Sequence, residues 1–105
     1  MRFVQGRPIA DAFSPSTVPP WGREEVFLPL EGLEAIRLAD YQGLDQEKAA
    51  GLMNVSRQTF GRILAEARAV VAEALVMGKF LKIEGGHFEM PPRGTGHRRR
   101  WRGGR

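Results

Sequence analysis

The chain has 105 residues, two histidines and no cysteine, which leaves room for one small domain with one modest core and excludes a disulfide framework, a thiolate nucleophile and a cysteine zinc site. No apolar run approaches the roughly 20 residues a membrane helix needs, and the opening "MRFVQGRPIADAF" lacks the apolar stretch of a secretory signal, so a cytoplasmic protein is expected. The formal charge is +4, but residues 93–105 hold six arginines and no acid; without them ten basic residues face all twelve acids, and residues 1–92 carry about −2.

The basic character therefore belongs to the tail. A body that binds a polyanion must do so through a local arrangement of charge. Residues 1–23, with Pro8, Pro15, Pro19 and Pro20 among glycines and small polar residues, resist helix and read as an extended arm. Residues 24–78 read as a helical domain. Leu30, Leu33 and Ile36 recur at helical spacing, and Leu38 and Tyr41 widen that apolar face, which predicts helix 1 at about 30–41 with Gly43 beyond its end and Gly32 weakening its first turn. Asp45 suits the N-cap of a short second helix at about 46–53. Asn54 stands where the chain must turn sharply, Val55 drops into the angle, and Ser56 is placed to cap a third helix.

That third helix, about 57–77, is the longest element. Phe60, Leu64, Ala67, Val71 and Ala74 alternate by four and three, with Ile63, Val70 and Met77 beside them, and Gly78 is a natural stop. In "KFLKIEGGHFEM", residues 79–90, Gly85-Gly86 suits a two-residue loop; the segment 79–92 is expected to form a β-hairpin with Glu84 opposite His87, Ile83 opposite Phe88, Lys82 opposite Glu89 and Leu81 opposite Met90. One face of that hairpin is apolar and needs a partner surface, either the long helix or a second chain. Residues 93–105 are expected to be a disordered Arg-rich tail by composition.

Two short helices joined by a tight turn, the second with a capped polar start, match the helix-turn-helix pattern. Phe60 and Ile63 face inward and Ala50 is small where the helices cross, which leaves Arg57, Gln58, Gly61 and Arg62 outward on the first turns of the third helix. Arginine can bond guanine in a fork, glutamine can bond adenine, and a glycine lets the backbone approach, so these four are the candidate base contacts. Ser56, Thr59 and Lys48 are the candidate phosphate contacts. Arg98, Arg99, Arg100, Trp101 and Arg102 would give nonspecific contacts, with Trp101 stacking on a base; a merely solubilising tail remains the alternative. An ordinary helical hairpin also accounts for the spacing of the body residues. The carboxylates Glu31, Glu34, Asp40, Asp45 and Glu47 read as exposed faces and helix starts, and His87 as the partner of Glu84. No paired nucleophile and base, phosphate loop or metal set is present, so neither an enzyme nor a cofactor is expected.

The segments "LEAIRLAD", "GLDQEKAA", "VSRQTFGRIL", "AEAL" and "GKFLKIEGG" within residues 30–86 closely resemble the small prokaryotic family named domain of unknown function 134, or uncharacterised protein family 0251. That family is in turn similar to the DNA-binding fourth region of sigma factors. The resemblance implies a mainly α fold of that helix-turn-helix type and a DNA-binding transcription regulator without catalytic activity. Relatives often carry a basic, cysteine-containing N-terminal segment that this chain lacks, Gly32 stands where an acid is usual, and the Arg-rich tail falls outside the shared region. The competing expectation is a protein-interaction module that meets RNA polymerase or another regulator through the same helices. Because one recognition helix reads only a few base pairs, useful specificity calls for either a homodimer or a partner protein, with the end of the third helix and the hairpin as the place of contact.

Overall fold

The computed structural model describes residues 2–17 and 24–86. In chain order these form strand β1 (Ala12–Phe13), strand β2 (Glu25–Leu28), helix α1 (Leu30–Ile36) continued by a π-helical turn (Arg37–Tyr41), helix α2 (Gln46–Leu52), helix α3 (Arg57–Met77) and strand β3 (Phe80–Ile83). Three helices and a small three-stranded sheet thus make one compact unit.

Pro29 starts α1. Its fixed φ of −66° with ψ 157° sets the chain at the helix entrance, and its carbonyl accepts from the backbone N–H of Gly32 and Leu33 at 2.9 and 3.1 Å. Gly32 has a packing reason that the sequence did not disclose. A Cβ at that position would lie 3.0 Å from Leu28 Cδ1 and 3.2 Å from Ala67 Cβ, so glycine is what lets α1 and α3 cross closely. The end of α1 also differs from the expected regular turn. The Gln42 N–H donates to the Arg37 carbonyl five residues back at 2.9 Å, and this wider turn rotates Tyr41 off the apolar line, leaving it 85% exposed while Leu38 stays buried. Gly43 follows with φ +74°, the left-handed conformation that ends the segment.

The apolar residues divide into two clusters strung along α3. The first joins Ala35 and Leu38 to Ala49, Ala50 and Met53 of the second helix and turn, and to Phe60, Ile63 and Leu64 of α3. The second joins Leu28 and Leu30 to Ala67 and Ala74 of α3 and to Leu81 and Ile83 of β3. Along α3, Phe60, Ile63, Leu64, Ala67 and Ala74 fall at intervals of three, four and seven residues, the periodicity that puts one stripe of α3 against both clusters. Ala74 is the last buried residue of α3. Leu75, Val76 and Met77 are exposed, so Met77 does not share the buried stripe expected for it.

The expected C-terminal hairpin requires correction. β3 is the central strand: β2 lies parallel to it, with Val26 opposite Leu81 and Leu28 opposite Ile83, and β1 lies antiparallel, with Ala12 opposite Lys82 and Phe13 opposite Leu81. Both edges of β3 are taken, so the pairing of Leu81, Lys82 and Ile83 with a strand returning from Gly85-Gly86 is not available. Residues 84–85 instead run on beside the junction of β2 and α1, where the Glu84 N–H donates to the Leu28 carbonyl at 3.1 Å and the Leu30 N–H donates to the Gly85 carbonyl at 3.0 Å. Residues 87–92, with His87, and the tail with Arg98, Arg99, Arg100, Trp101 and Arg102 lie outside the described residues. The apolar face of β3 does find the long helix as its partner surface.

The N-terminal segment contributes to the body. Val4 is 3% exposed, β1 completes the sheet, and the Phe3 N–H donates to the Met53 carbonyl at 3.0 Å. Arg2 pairs with Glu31 at 3.2 Å, and Arg37 makes two hydrogen bonds to Glu34 at 2.7 and 2.9 Å. Glu31 and Glu34 are 6% and 4% exposed, so these two carboxylates do not lie on an open face. Burial without such partners would be costly, and each has its arginine.

One exposed pair ties the π-helical turn to α3. Arg68 donates to both carboxylate oxygens of Asp40, at 2.6 and 3.1 Å. Hydrogen bonds from Arg68, joined by the attraction of its charge, hold the Asp40 pKa below its ordinary value against the opposing effect of burial. A carboxylate with a depressed folded-state pKa contributes stability above its unfolded pKa and loses it as pH falls through the folded value. Asp40→Asn should therefore lower the urea midpoint at neutral pH, and its gap from the wild type should close below about pH 4. A gap that does not change with pH would contradict the pairing.

Candidate functional site

The α2–turn–α3 unit is built by local chemistry at each joint. Asp45 takes an extended conformation and its carboxylate accepts from the Lys48 backbone N–H at 2.8 Å, which caps α2. Ala49 and Ala50 are buried to 0% and 2% exposure, small enough to let α3 approach. Asn54 has φ +60°, alone in this region among the described non-glycine residues, and it turns the chain so that the Val55 N–H donates back to the Ala50 carbonyl at 3.0 Å. The Met53 side chain is fully buried, while its carbonyl takes the N–H of Phe3; this clamp from the N-terminal segment carried no signal in the sequence.

Ser56 then caps α3. Its Oγ accepts from the Thr59 N–H at 3.0 Å and donates to Thr59 Oγ1 at 3.0 Å. The two hydroxyls share one hydrogen bond, so one hydroxyl proton of the pair is left to donate outward. Phe60, Ile63 and Leu64 face the first cluster. As a result Arg57, Gln58 and Arg62 are exposed along the first turns of α3, Gly61 between them is half-buried, and Lys48 is exposed on α2. In front of Gly61, the Oε1 of Gln46 stands 3.4 Å from the position a Cβ would take.

The cations of this face are not closed into ion pairs among the described residues. Elsewhere among the described residues Arg2 pairs with Glu31, Arg37 with Glu34, Arg68 with Asp40, and Lys79 with Glu24 and Glu73, while Lys82 of β3 has no ion pair. Among the described residues no ion pair engages Arg57, Arg62 or Lys48. The exposed acids of α3, Glu66 and Glu73, come only after its second turn. A body with about two excess negative charges thus carries three cations without an ion pair on α2 and the first turns of α3. Among the described residues no group of three histidine or acidic side chains could hold a metal ion, and no helix is long and apolar enough to cross a membrane.

Residues 1–91 match the family model described as "Protein of unknown function DUF134". The chain belongs to that family. The match extends over the N-terminal segment as well as the helices and β3, and it stops before the Arg-rich tail. Curated relatives carry the name UPF0251 protein. One from Desulforudis audaxviator is 47% identical over 103 residues, covering 95% of this chain and 67% of that protein. One from Caldanaerobacter subterraneus subsp. tengcongensis is 45% identical over 106 residues, covering 95% of this chain and 90% of that protein. A third, from Thermoanaerobacter sp., is 48% identical over 89 residues, covering 85% and 79%. No solved structure matches the chain.

Proposed function

We propose that the protein binds DNA with sequence preference and regulates transcription, its α2 and α3 acting as a helix-turn-helix of sigma region 4 type. The first turns of α3 enter the major groove. Arg57, Gln58 and Arg62 meet base edges, Thr59 and Lys48 reach phosphates, and Ser56 holds the helix start beside them. The observation that carries this reading is the exposed set Arg57, Arg62 and Lys48, without an ion pair among the described residues, gathered on α2 and the first turns of α3 in a body of about −2 charge. An arginine left without a carboxylate partner keeps its fork of donors for guanine or phosphate.

Such a helix reads only a few base pairs, so useful specificity needs a second protein surface. Leu75, Val76 and Met77, exposed at the far end of α3, favour a protein contact there, with a second copy of the chain as the simplest occupant and RNA polymerase as the competing one.

Arg57→Ala tests the assignment of α3. In an anisotropy titration on the best duplex selected from random DNA it should cost about 1–3 kcal/mol and relax the preference at one base position. Equal losses on all sequences would sink base readout, and no loss would remove α3 from the contact.

A further inference from the structure

We infer that Gln46 is a base-reading residue, reaching from the start of α2 through the notch that Gly61 leaves in α3. The inference rests on the DNA-binding reading above and adds to it a specificity-determining side chain from the other helix. Gly61 lies on the outward face, one turn beyond Arg57 and Gln58 and next to Arg62. The nearest group facing it is not solvent. Gln46 Oε1 stands 3.4 Å from where a Cβ on Gly61 would sit, and apart from the chain neighbours and the backbone of α3 itself no other heavy atom of the described residues comes within 4 Å of that point. A side chain longer than alanine at position 61 would therefore occupy the space that the Gln46 amide now fills.

Gln46 is exposed, and no hydrogen bond within the described residues engages its side chain. Oε1 lies beside the open side of Gly61, and neither end of the Gln46 amide is tied up within the described residues. A free donor beside an accepting oxygen is the arrangement that reads the paired donor and acceptor of adenine in the major groove. Two features give Gln46 this place. Asp45 fixes the first turn of α2 by accepting from the Lys48 N–H at 2.8 Å, and the turn through Asn54 sets α2 against α3. The reading row is then Arg57, Gln58, Gln46 and Arg62, with the third member supplied by α2 in place of a side chain at position 61.

The test is selection from random DNA with the full-length wild type, Gln46→Ala and Gly61→Leu, followed by titration on the wild-type consensus and on unrelated duplex. Gln46→Ala should lose the base preference at one position, keep it at the others, and bind the consensus about tenfold more weakly while its binding to unrelated duplex is unchanged. Gly61→Leu, which displaces the Gln46 amide, should lose the preference at that same position. Thermal unfolding of Gln46→Ala should match the wild type, because the side chain is exposed. A motif that persists in Gln46→Ala at every position, or a loss equal on all duplexes, overturns the role of Gln46 while leaving α3 as the reading helix. A wild type that selects no motif overturns both.

Discussion

Phe60→Ala is expected to destabilise the protein by about 3–5 kcal/mol, read as a fall in the urea midpoint followed by far-ultraviolet circular dichroism. Phe60 is fully buried where α1, α2, the turn and α3 meet, within the cluster of Ala35, Leu38, Ala49, Ala50, Met53, Ile63 and Leu64. Three of those neighbours are alanines, whose short side chains cannot move in to fill the space a deleted ring leaves. The cavity cost therefore adds to the lost transfer energy. Small domains carry only about 5–15 kcal/mol in total, so the variant should be near the edge of folding at 37 °C. A loss below about 1 kcal/mol would mean that the helices do not converge on Phe60.

Gly86→Ala should be the second large effect. Gly86 has φ +104°, a conformation that L side chains rarely adopt, and a Cβ there would land on the Glu31 carboxylate and within 2.9 Å of Pro29 Cβ. Pro29 is a rigid ring at the start of α1, and Glu31 is buried and paired with Arg2, so neither can simply step aside. Backbone strain of about 1–3 kcal/mol adds to an overpacking cost of about 1–3 kcal/mol. Thermal unfolding would read it. A wild-type melting temperature would show that the chain leaves β3 by another path. The same substitution at Gly78, where nothing lies within 4 Å of the added Cβ, meets only the φ of +67° and should cost less.

The helical part of the fold was legible because its signals are local. Asp45, Asn54, Ser56 and Gly78 each carry a side chain or a lack of one that acts within four residues, and the expected span 57–77 for α3 is the span observed. The sheet was not legible for the opposite reason. β2 is four residues long, and its parallel pairing to β3 joins segments separated by all three helices, while Gly85-Gly86 offered a strong local alternative that the occupied edges of β3 rule out. Tyr41 was misplaced because a π-helical turn leaves no mark in the hydrophobic period, and Glu31 and Glu34 because burial of a carboxylate depends on arginines that the fold brings to it. Of the candidate site, the exposure of Arg57, Gln58 and Arg62 followed from the inward spacing of Phe60 and Ile63. The presence of Gln46 in front of Gly61 depended on the angle between two helices, which no spacing within either one records.

The central claim is that the free cations at the start of α3 are aimed at DNA by the body, apart from the six arginines of residues 93–105. The measurement that tests it most directly is the salt dependence of binding to the selected duplex, compared between the full chain and a chain ending at residue 92. Phosphate contacts made by the body should leave the shortened chain with the same selected motif and a negative slope of log affinity against log salt, shallower than that of the full chain as the tail contacts are lost. A shortened chain that binds no duplex at low salt, or binds all duplexes alike, would contradict the account.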